Sequence, residues 1–365
     1  MIYVERQRLL TALNTITRIA VNRKNNLPIL ENVLISPLDG KLKLAGTNLE
    51  SHVTVHCEAD SRSVASFTVS TKKLMAICKA MPEDSNVGIA LVDDKKAMVK
   101  SGNIRFSLDT LPAPDFPYPE RKDAIASFLI PANVLKEMLA NCSTAMGIDD
   151  ARYYLNGTLL HIDGTVLTVV ATNGHRLSSS ATTTLECPLW DKAILPYKFA
   201  QALARELPSI EDSIRVEKGD NFCRITWGET TLQTQLIDGK FPEYQRVIPR
   251  NPSLSALIDS QVLRKSLALA SILKSDKHKG IKFTFSPNKL EIESVDNDET
   301  FHDEISCEYT GDEVAIGFDA KYISDVLIAL GSESVMMGFT DHTAAILLTD
   351  PEAADKVHVV MPMRL

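Results

Sequence analysis

The chain has 365 residues, 44% apolar and 24% charged, which supplies cores for two or three domains and excludes wholesale disorder. Thirty-nine Lys and Arg against 47 Asp and Glu leave a formal charge of −8, which excludes coating of DNA by bulk charge but not a local basic surface. No apolar run approaches the roughly 18 residues of a membrane span, and the opening MIYVERQRLL carries charge where a signal peptide is apolar, so a soluble, cytoplasmic protein is expected.

In chain order, a helix is predicted over residues 5–20, where Leu9, Leu10, Leu13, Ile16 and Ile19 recur at helical spacing. A strand pair turning at Pro37-Leu38-Asp39-Gly40 follows, then a second helix near 71–80. The proline-rich segment 111–119 ends this set. The same order returns with a helix over 131–144, a turn at His161-Ile162-Asp163-Gly164, a helix near 197–206 and a proline joint at 248–252. It returns again with a helix over 260–273, a turn at Ser286-Pro287-Asn288 and a helix near 319–330.

The order reflects an internal repeat. At a shift of 125 residues, Ala45-Gly46-Thr47-Asn48 falls on Val170-Ala171-Thr172-Asn173, Lys73-Leu74 on Lys198-Phe199, and Phe116-Pro117 on Phe241-Pro242. Val134-Leu135-Lys136 has an echo in Val262-Leu263-Arg264, and Lys198-Phe199 in Lys321-Tyr322. Three α+β domains of the same build are expected, over 1–124, 125–252 and 253–365, each with two helices packed on antiparallel sheets. The six cysteines, Cys57, Cys78, Cys142, Cys187, Cys223 and Cys307, are scattered without a CxxC and read as reduced, mostly buried thiols. His52 and His56 share one strand face with no third ligand in view and read as a surface pair.

Charge is unevenly divided. The helical segments 5–24, 71–80, 132–146, 197–206, 260–274 and 319–330 carry +4, +3, 0, +1, +3 and −1, so the rest of the chain carries −18. Their only glutamates are Glu5, Glu137 and Glu206, fewer than ordinary solvated helix faces would hold, which favours a basic surface turned to a polyanion. Two helices per repeat, three repeats and two chains would give twelve helices. Spaced about 10 Å apart, they would enclose a hole of about 28 Å, wide enough for hydrated duplex DNA.

The chain resembles the bacterial DNA polymerase III β subunits, the sliding clamps, over its whole length. The resemblance is carried by Leu27-Pro28-Ile29-Leu30, Arg105-Phe106-Ser107-Leu108, Arg152-Tyr153-Tyr154-Leu155-Asn156-Gly157 and Ala171-Thr172-Asn173-Gly174-His175-Arg176-Leu177. It continues through Asp238-Gly239-Lys240-Phe241-Pro242-Glu243-Tyr244 and the terminal Val359-Val360-Met361-Pro362-Met363-Arg364-Leu365. It implies a head-to-tail dimeric ring on duplex DNA, without catalysis or cofactor. Such a ring would be opened by a clamp loader and would tether the DNA polymerase III α subunit, other DNA polymerases and repair proteins by raising their effective concentration.

The resemblance also implies three sites. A partner-peptide pocket would use Leu155, Thr172, Gly174, His175, Arg176, Leu177, Pro242, Val247, Val360, Met361, Pro362 and Met363, apolar groups suited to Leu or Phe anchors, with methionine able to repack. DNA contact would fall to Lys24, Lys72, Arg152, Tyr153, Tyr154 and Lys198, with Arg23 and Lys73 beside them, holding phosphates without reading sequence. At the subunit interface Arg105, Phe106 and Leu108, on an edge strand, would meet Ile272 and Leu273 of the other copy, with Arg105 paired to an acid from 298–299 or 303–304. Three positions depart from the family: Asn173 where Asp is usual, Ala345 where Ser is frequent, and Asp149 in a loop that is otherwise uncharged.

Two other functions compete with this one. A hydrolase built around Asn173-Gly174-His175 has no GxSxG, Walker A, HExxH or GxGxxG motif behind it. A repeat-built peptide-binding scaffold, or an accessory clamp that does not stably encircle DNA, remains as the alternative. The basic helices count against the scaffold.

Overall fold

The computed structural model describes residues 1–20, 27–61, 65–119, 122–183, 190–273, 280–296, 299–353 and 355–364. Six α-helices are present among the described residues: α1 (Arg6–Ile19), α2 (Thr71–Ala80), α3 (Ala132–Cys142), α4 (Tyr197–Glu206), α5 (Ser260–Ala270) and α6 (Ala320–Leu330). All six lie where the apolar spacing puts them. The three expected turns are hairpins with a left-handed residue at Gly40 (φ 66), Gly164 (φ 59) and Asn288 (φ 61), positions where an ordinary Cβ would be strained.

The described residues form two compact units. The first comprises Met1–Asn133 and Arg205–Leu236 with Trp190, and holds a thirteen-stranded antiparallel sheet. In that sheet Ser51–Glu58 pairs with Thr230–Gln235, Val53 opposite Leu232 and His52 opposite Gln233, so strands of the first and second repeats run edge to edge. α1 buries Leu9, Ala12, Leu13, Ile16 and Ile19, while Leu10 is only half-buried. Arg6 turns inward and donates from Nε to the Cys78 carbonyl at 2.7 Å and from Nη2 to that of Lys79 at 3.2 Å, satisfying the free carbonyls at the end of α2.

The second unit comprises Val134–Glu186, Asp191–Ala204 and Ile237–Leu365, with an eight-stranded and a four-stranded antiparallel sheet. In the larger one Arg176–Thr183 pairs with Lys356–Val360, Leu177 opposite Val359, so the second and third repeats are also joined strand to strand. Under the smaller sheet Phe283, Phe285, Phe318 and Phe339 are fully buried, and Phe285 and Phe339 meet with centroids 4.8 Å apart. Burying each such ring contributes on the order of 2–3 kcal/mol. Of the cysteines, Cys57, Cys78, Cys142, Cys223 and Cys307 are buried free thiols, and burial pushes the Cys78 and Cys223 thiols up to about 12. Cys187 lies outside the described residues.

Candidate functional site

The candidate site lies in the second unit and is built from a short loop outward. Thr172, ending its strand, accepts from the Gly174 amide through Oγ1 at 3.1 Å and donates to the Arg176 carbonyl at 2.7 Å. Asn173 Oδ1 accepts the amides of His175 and Arg176, both at 3.0 Å. A carboxylate would accept the same two bonds, so Asn in place of Asp keeps this loop's hydrogen bonding and loses only the charge. Gly174 has φ 85, and a Cβ there would stand 2.8 Å from Arg152 Nη1. Both the conformation and the close approach demand glycine. Arg152 itself donates to the Asn173 carbonyl at 3.1 Å and grips Asp150 with Nε and Nη2, at 3.0 and 2.8 Å. Those bonds hold the Asp150 carboxyl down at about 2.

Around this loop an open groove, about 620 Å³ with the solvent at its mouth included, is lined by Leu155, Leu177, Pro242, Val247, Val359 and Met361, with Tyr154, Tyr244 and the stem of Arg176. Its floor is rigid. Tyr244 is buried, and its hydroxyl meets His161 Nδ1 at 3.0 Å. Arg176 is fixed by Asp325 at 2.7 Å, by the Thr144 carbonyl and by the Tyr322 ring, 4.4 Å from its guanidinium carbon. The C-terminal segment closes the groove: the Met361 amide donates to the His175 carbonyl at 2.8 Å, extending the strand pair by one bond.

Beneath the groove, His358 is fully buried between Ser178 Oγ at 2.8 Å and Asn141 Oδ1 at 3.0 Å. Asn141 spends its amide on the Ser179 carbonyl, so its Oδ1 must accept. Nε2 of His358 therefore carries the proton, and Nδ1 accepts from Ser178. Burial, with Lys356 and Arg176 nearby, pushes this histidine down to about 3.

Eight of the twelve pocket residues expected from the sequence line the groove: Leu155, Thr172, Gly174, Arg176, Leu177, Pro242, Val247 and Met361. The other four do not. Val360 is fully buried in the core around Phe339, and Val359 faces the groove in its place because strand side chains alternate. His175 is exposed and contributes its backbone carbonyl. Pro362 and Met363 line a separate hollow with Lys282, Ile316 and His342. Arg152 and Tyr154, read as DNA contacts, form part of the groove wall, as do Glu243 and Tyr244, which the sequence reading left unassigned. Ala345 is half-buried and packs against the core beneath the groove.

Lys72, Lys73 and Lys198 are exposed on α2 and α4, and Tyr153 is exposed as well. Lys24 and Arg23 lie outside the described residues. α1 presents less free positive charge than its composition suggests: Arg6 is buried, Arg8 is paired with Glu5 and Glu58, and Arg18 pairs with Glu206 at 2.6 Å. The strand Ile104–Pro112 is an edge only in part. It pairs with Lys96–Ser101 over 104–109 and with Phe67–Ser70 over 110–112, which leaves 104–109 open on one side. Along that open stretch Arg105 and Phe106 are exposed and Leu108 is buried; Ile272 is 74% exposed and Leu273 half-buried. Glu299, Asp303 and Glu304 stand on the edge strand of the four-stranded sheet, and Asp298 lies outside the described residues.

Three repeats of two helices on antiparallel sheets, joined by strand pairing and carrying one apolar groove beside the C-terminal segment, place the chain in the DNA-clamp class. Models of the DNA polymerase III beta subunit match it three times: the N-terminal domain over residues 1–120, the central domain over 129–243 and the C-terminal domain over 245–364. The beta sliding clamp of Pseudomonas aeruginosa is 36% identical over 366 residues, and that of Escherichia coli K12 34% over 364, with 99% of each chain covered in both cases. The sliding clamp of P. aeruginosa solved bound to griselimycin superposes with a TM-score of 0.95 at 36% identity, over 100% of this chain and 99% of that one. The griselimycin-bound clamp of Bartonella birtlesii gives 0.96 at 29% identity, over 100% and 99%. The chain belongs to the DNA polymerase III beta subunit family, the beta sliding clamps, and its function is that of a DNA sliding clamp. No helix among the described residues is long and apolar enough to cross a membrane.

Proposed function

We propose that two copies, each of three domains over 1–124, 125–252 and 253–365, close head to tail into a ring around duplex DNA. In this reading the chain is a non-catalytic, cytoplasmic subunit, opened by a clamp loader. It tethers the DNA polymerase III α subunit, other DNA polymerases and repair proteins through short apolar peptides. The observation that carries the reading is the groove: an open apolar cleft of about 620 Å³ on a rigid floor, with Met361 as its adaptable wall. Lys72 and Lys198, exposed and without an ion pair among the described residues, are the phosphate contacts best supported, and the exposed Tyr153 is a further candidate contact.

At the chain-to-chain contact, the open stretch 104–109 would face the acidic edge strand Glu299–Ser306 of the other copy. Arg105 would meet Asp303 or Glu304, and Phe106 would cover Ile272 and Leu273. Leu108, buried in its own unit, would support Phe106 from behind.

Removal of the last five residues tests the groove. It takes away Met361 and leaves the strand Lys356–Val360 paired. Binding of a Gln-x-x-Leu-Phe peptide, followed by fluorescence polarisation, should fall at least tenfold (about 1.4 kcal/mol) with an unchanged circular dichroism spectrum. Unchanged affinity would remove the pocket. The double substitution Ile272→Ala with Leu273→Ala should sediment as monomer, and a persistent dimer would remove the interface.

A further inference from the structure

The first unit carries an open trough of about 1360 Å³ on the sheet face opposite α1. α1 covers the other face, where Gly46 closes on Ile16 and Cys57 on the Arg8 carbonyl. The trough floor is a row of threonines running across the strands: Thr54 opposite Thr231, Thr231 opposite Thr226, and Thr226 opposite Arg215. One wall is the neighbouring row His52, Gln233, Arg224 and Glu217. The other is Lys43 opposite His56, closed by Tyr118 and Pro119. Across four strand spacings the trough spans about 19 Å, the reach of five or six extended residues.

Its chemistry is cationic. Arg224 is held by the Gln233 side chain at 3.1 Å and the Lys122 carbonyl at 3.0 Å, and its Nη1 stays 3.8 Å from Glu217. Lys43 Nζ sits 3.8 Å from the centre of the Tyr118 ring, whose hydroxyl meets Thr54 Oγ1 at 3.0 Å. Neither Lys43 nor Arg215 has a carboxylate partner among the described residues. His52 Nδ1 is buried and has no hydrogen-bond partner.

The trough also stands where the internal repeat would put a second groove. His52, Tyr118 and Pro119 lie 125 residues before Leu177, Glu243 and Tyr244, all on the apolar groove, and Gln233 opposes His52 as Val359 opposes Leu177. We propose that this trough is a second partner site, taking an extended acidic peptide with its backbone over the threonine row and its carboxylates on Lys43 and Arg215. The inference rests on reading the apolar groove as a peptide site. A peptide fits better than a nucleic-acid strand: the corresponding groove of the next repeat is read as a peptide site, and the only Phe, Tyr or Trp ring lining the trough among the described residues, Tyr118, already has Lys43 over it.

The test uses the full chain and a fluorescein-labelled ten-residue peptide of alternating Asp and Ser, read by polarisation. Binding should weaken at least tenfold in Lys43→Glu with Arg215→Glu. It should also weaken in Lys43→Met with Arg215→Met, which keeps most of each side chain's length and removes only the charge. A Gln-x-x-Leu-Phe peptide should neither displace the acidic probe nor lose affinity for these variants. Failure of the acidic peptide to bind, equal binding by both variants, or tighter binding of a single-stranded oligonucleotide of equal charge would each overturn the proposal. The acidic probe decides this site whether or not the apolar peptide binds, so failure of the apolar peptide alone indicts the other groove.

Discussion

The loop 47–51 and the loop 172–176 are the same device in two repeats with different surroundings. Thr47 Oγ1 accepts the Leu49 amide and Asn48 Oδ1 those of Glu50 and Ser51, as Thr172 and Asn173 do for Gly174, His175 and Arg176. The Gln235 amide bonds the Glu50 carbonyl as the Met361 amide bonds that of His175. The backbone solution is retained while the side chains diverge: Leu177 and Val359 make one cleft apolar, and His52 and Gln233 make the other polar. A repeat fixes where a concavity forms, and the side chains at a few opposed strand positions decide what it accepts.

The strongest way to break that contrast is to write one cleft into the other. Leu177→His with Val359→Gln puts unpartnered polar groups into a buried floor and should cost about 3–5 kcal/mol in urea unfolding. Apolar-peptide affinity should fall by more than tenfold; a stable protein that still binds the peptide would show that these two positions do not set the cleft's character.

Acid sharpens the contrast next. Burial pushes His52 down to about 4 and His358 to about 3, against an ordinary 6.5, so the unfolded chain binds more protons below pH 6.5. The stability these two histidines contribute therefore falls as pH drops from 6.5 towards 3. The urea midpoint of His52→Leu should lose less over pH 6.5 to 4 than that of the unaltered chain. Equal slopes would mean that His52 is not held neutral.

The smallest effect concerns the loop itself. Leu49 has φ 78 where its counterpart is Gly174, and its side chain is 45% exposed. Leu49→Gly should raise stability by about 0.5 kcal/mol, seen as a small rise in Tm; a lower Tm would mean that Leu49 packing outweighs its strain.

Helix positions and hairpin turns were legible in the sequence because they depend on local spacing and on single residues such as Gly40 and Asn288. The groove was legible through motifs, down to Gly174. What escaped reading depends on contacts distant in the chain. Arg18 counts as a basic surface charge until Glu206 is found beside it, and Arg152 as a DNA contact until it is seen braced on Asp150 and Asn173. Val360 and Val359 are indistinguishable until the strand register assigns one to the core and the other to the cleft. His52 and His56 share a face as expected, but His52 is the half-buried wall of a trough, its Nδ1 out of reach of water, rather than a solvated surface group.

The pairing of Ser51–Glu58 with Thr230–Gln235, and of Arg176–Thr183 with Lys356–Val360, has a mechanical consequence. The proline joints between repeats are bridged by rungs of backbone hydrogen bonds, so they carry little load. A chain nicked at either joint would stay assembled as two fragments and could be reconstituted from separately expressed halves. Covalent continuity and cohesion are out of phase along this polypeptide: its seams are sewn by sheet rather than by linker.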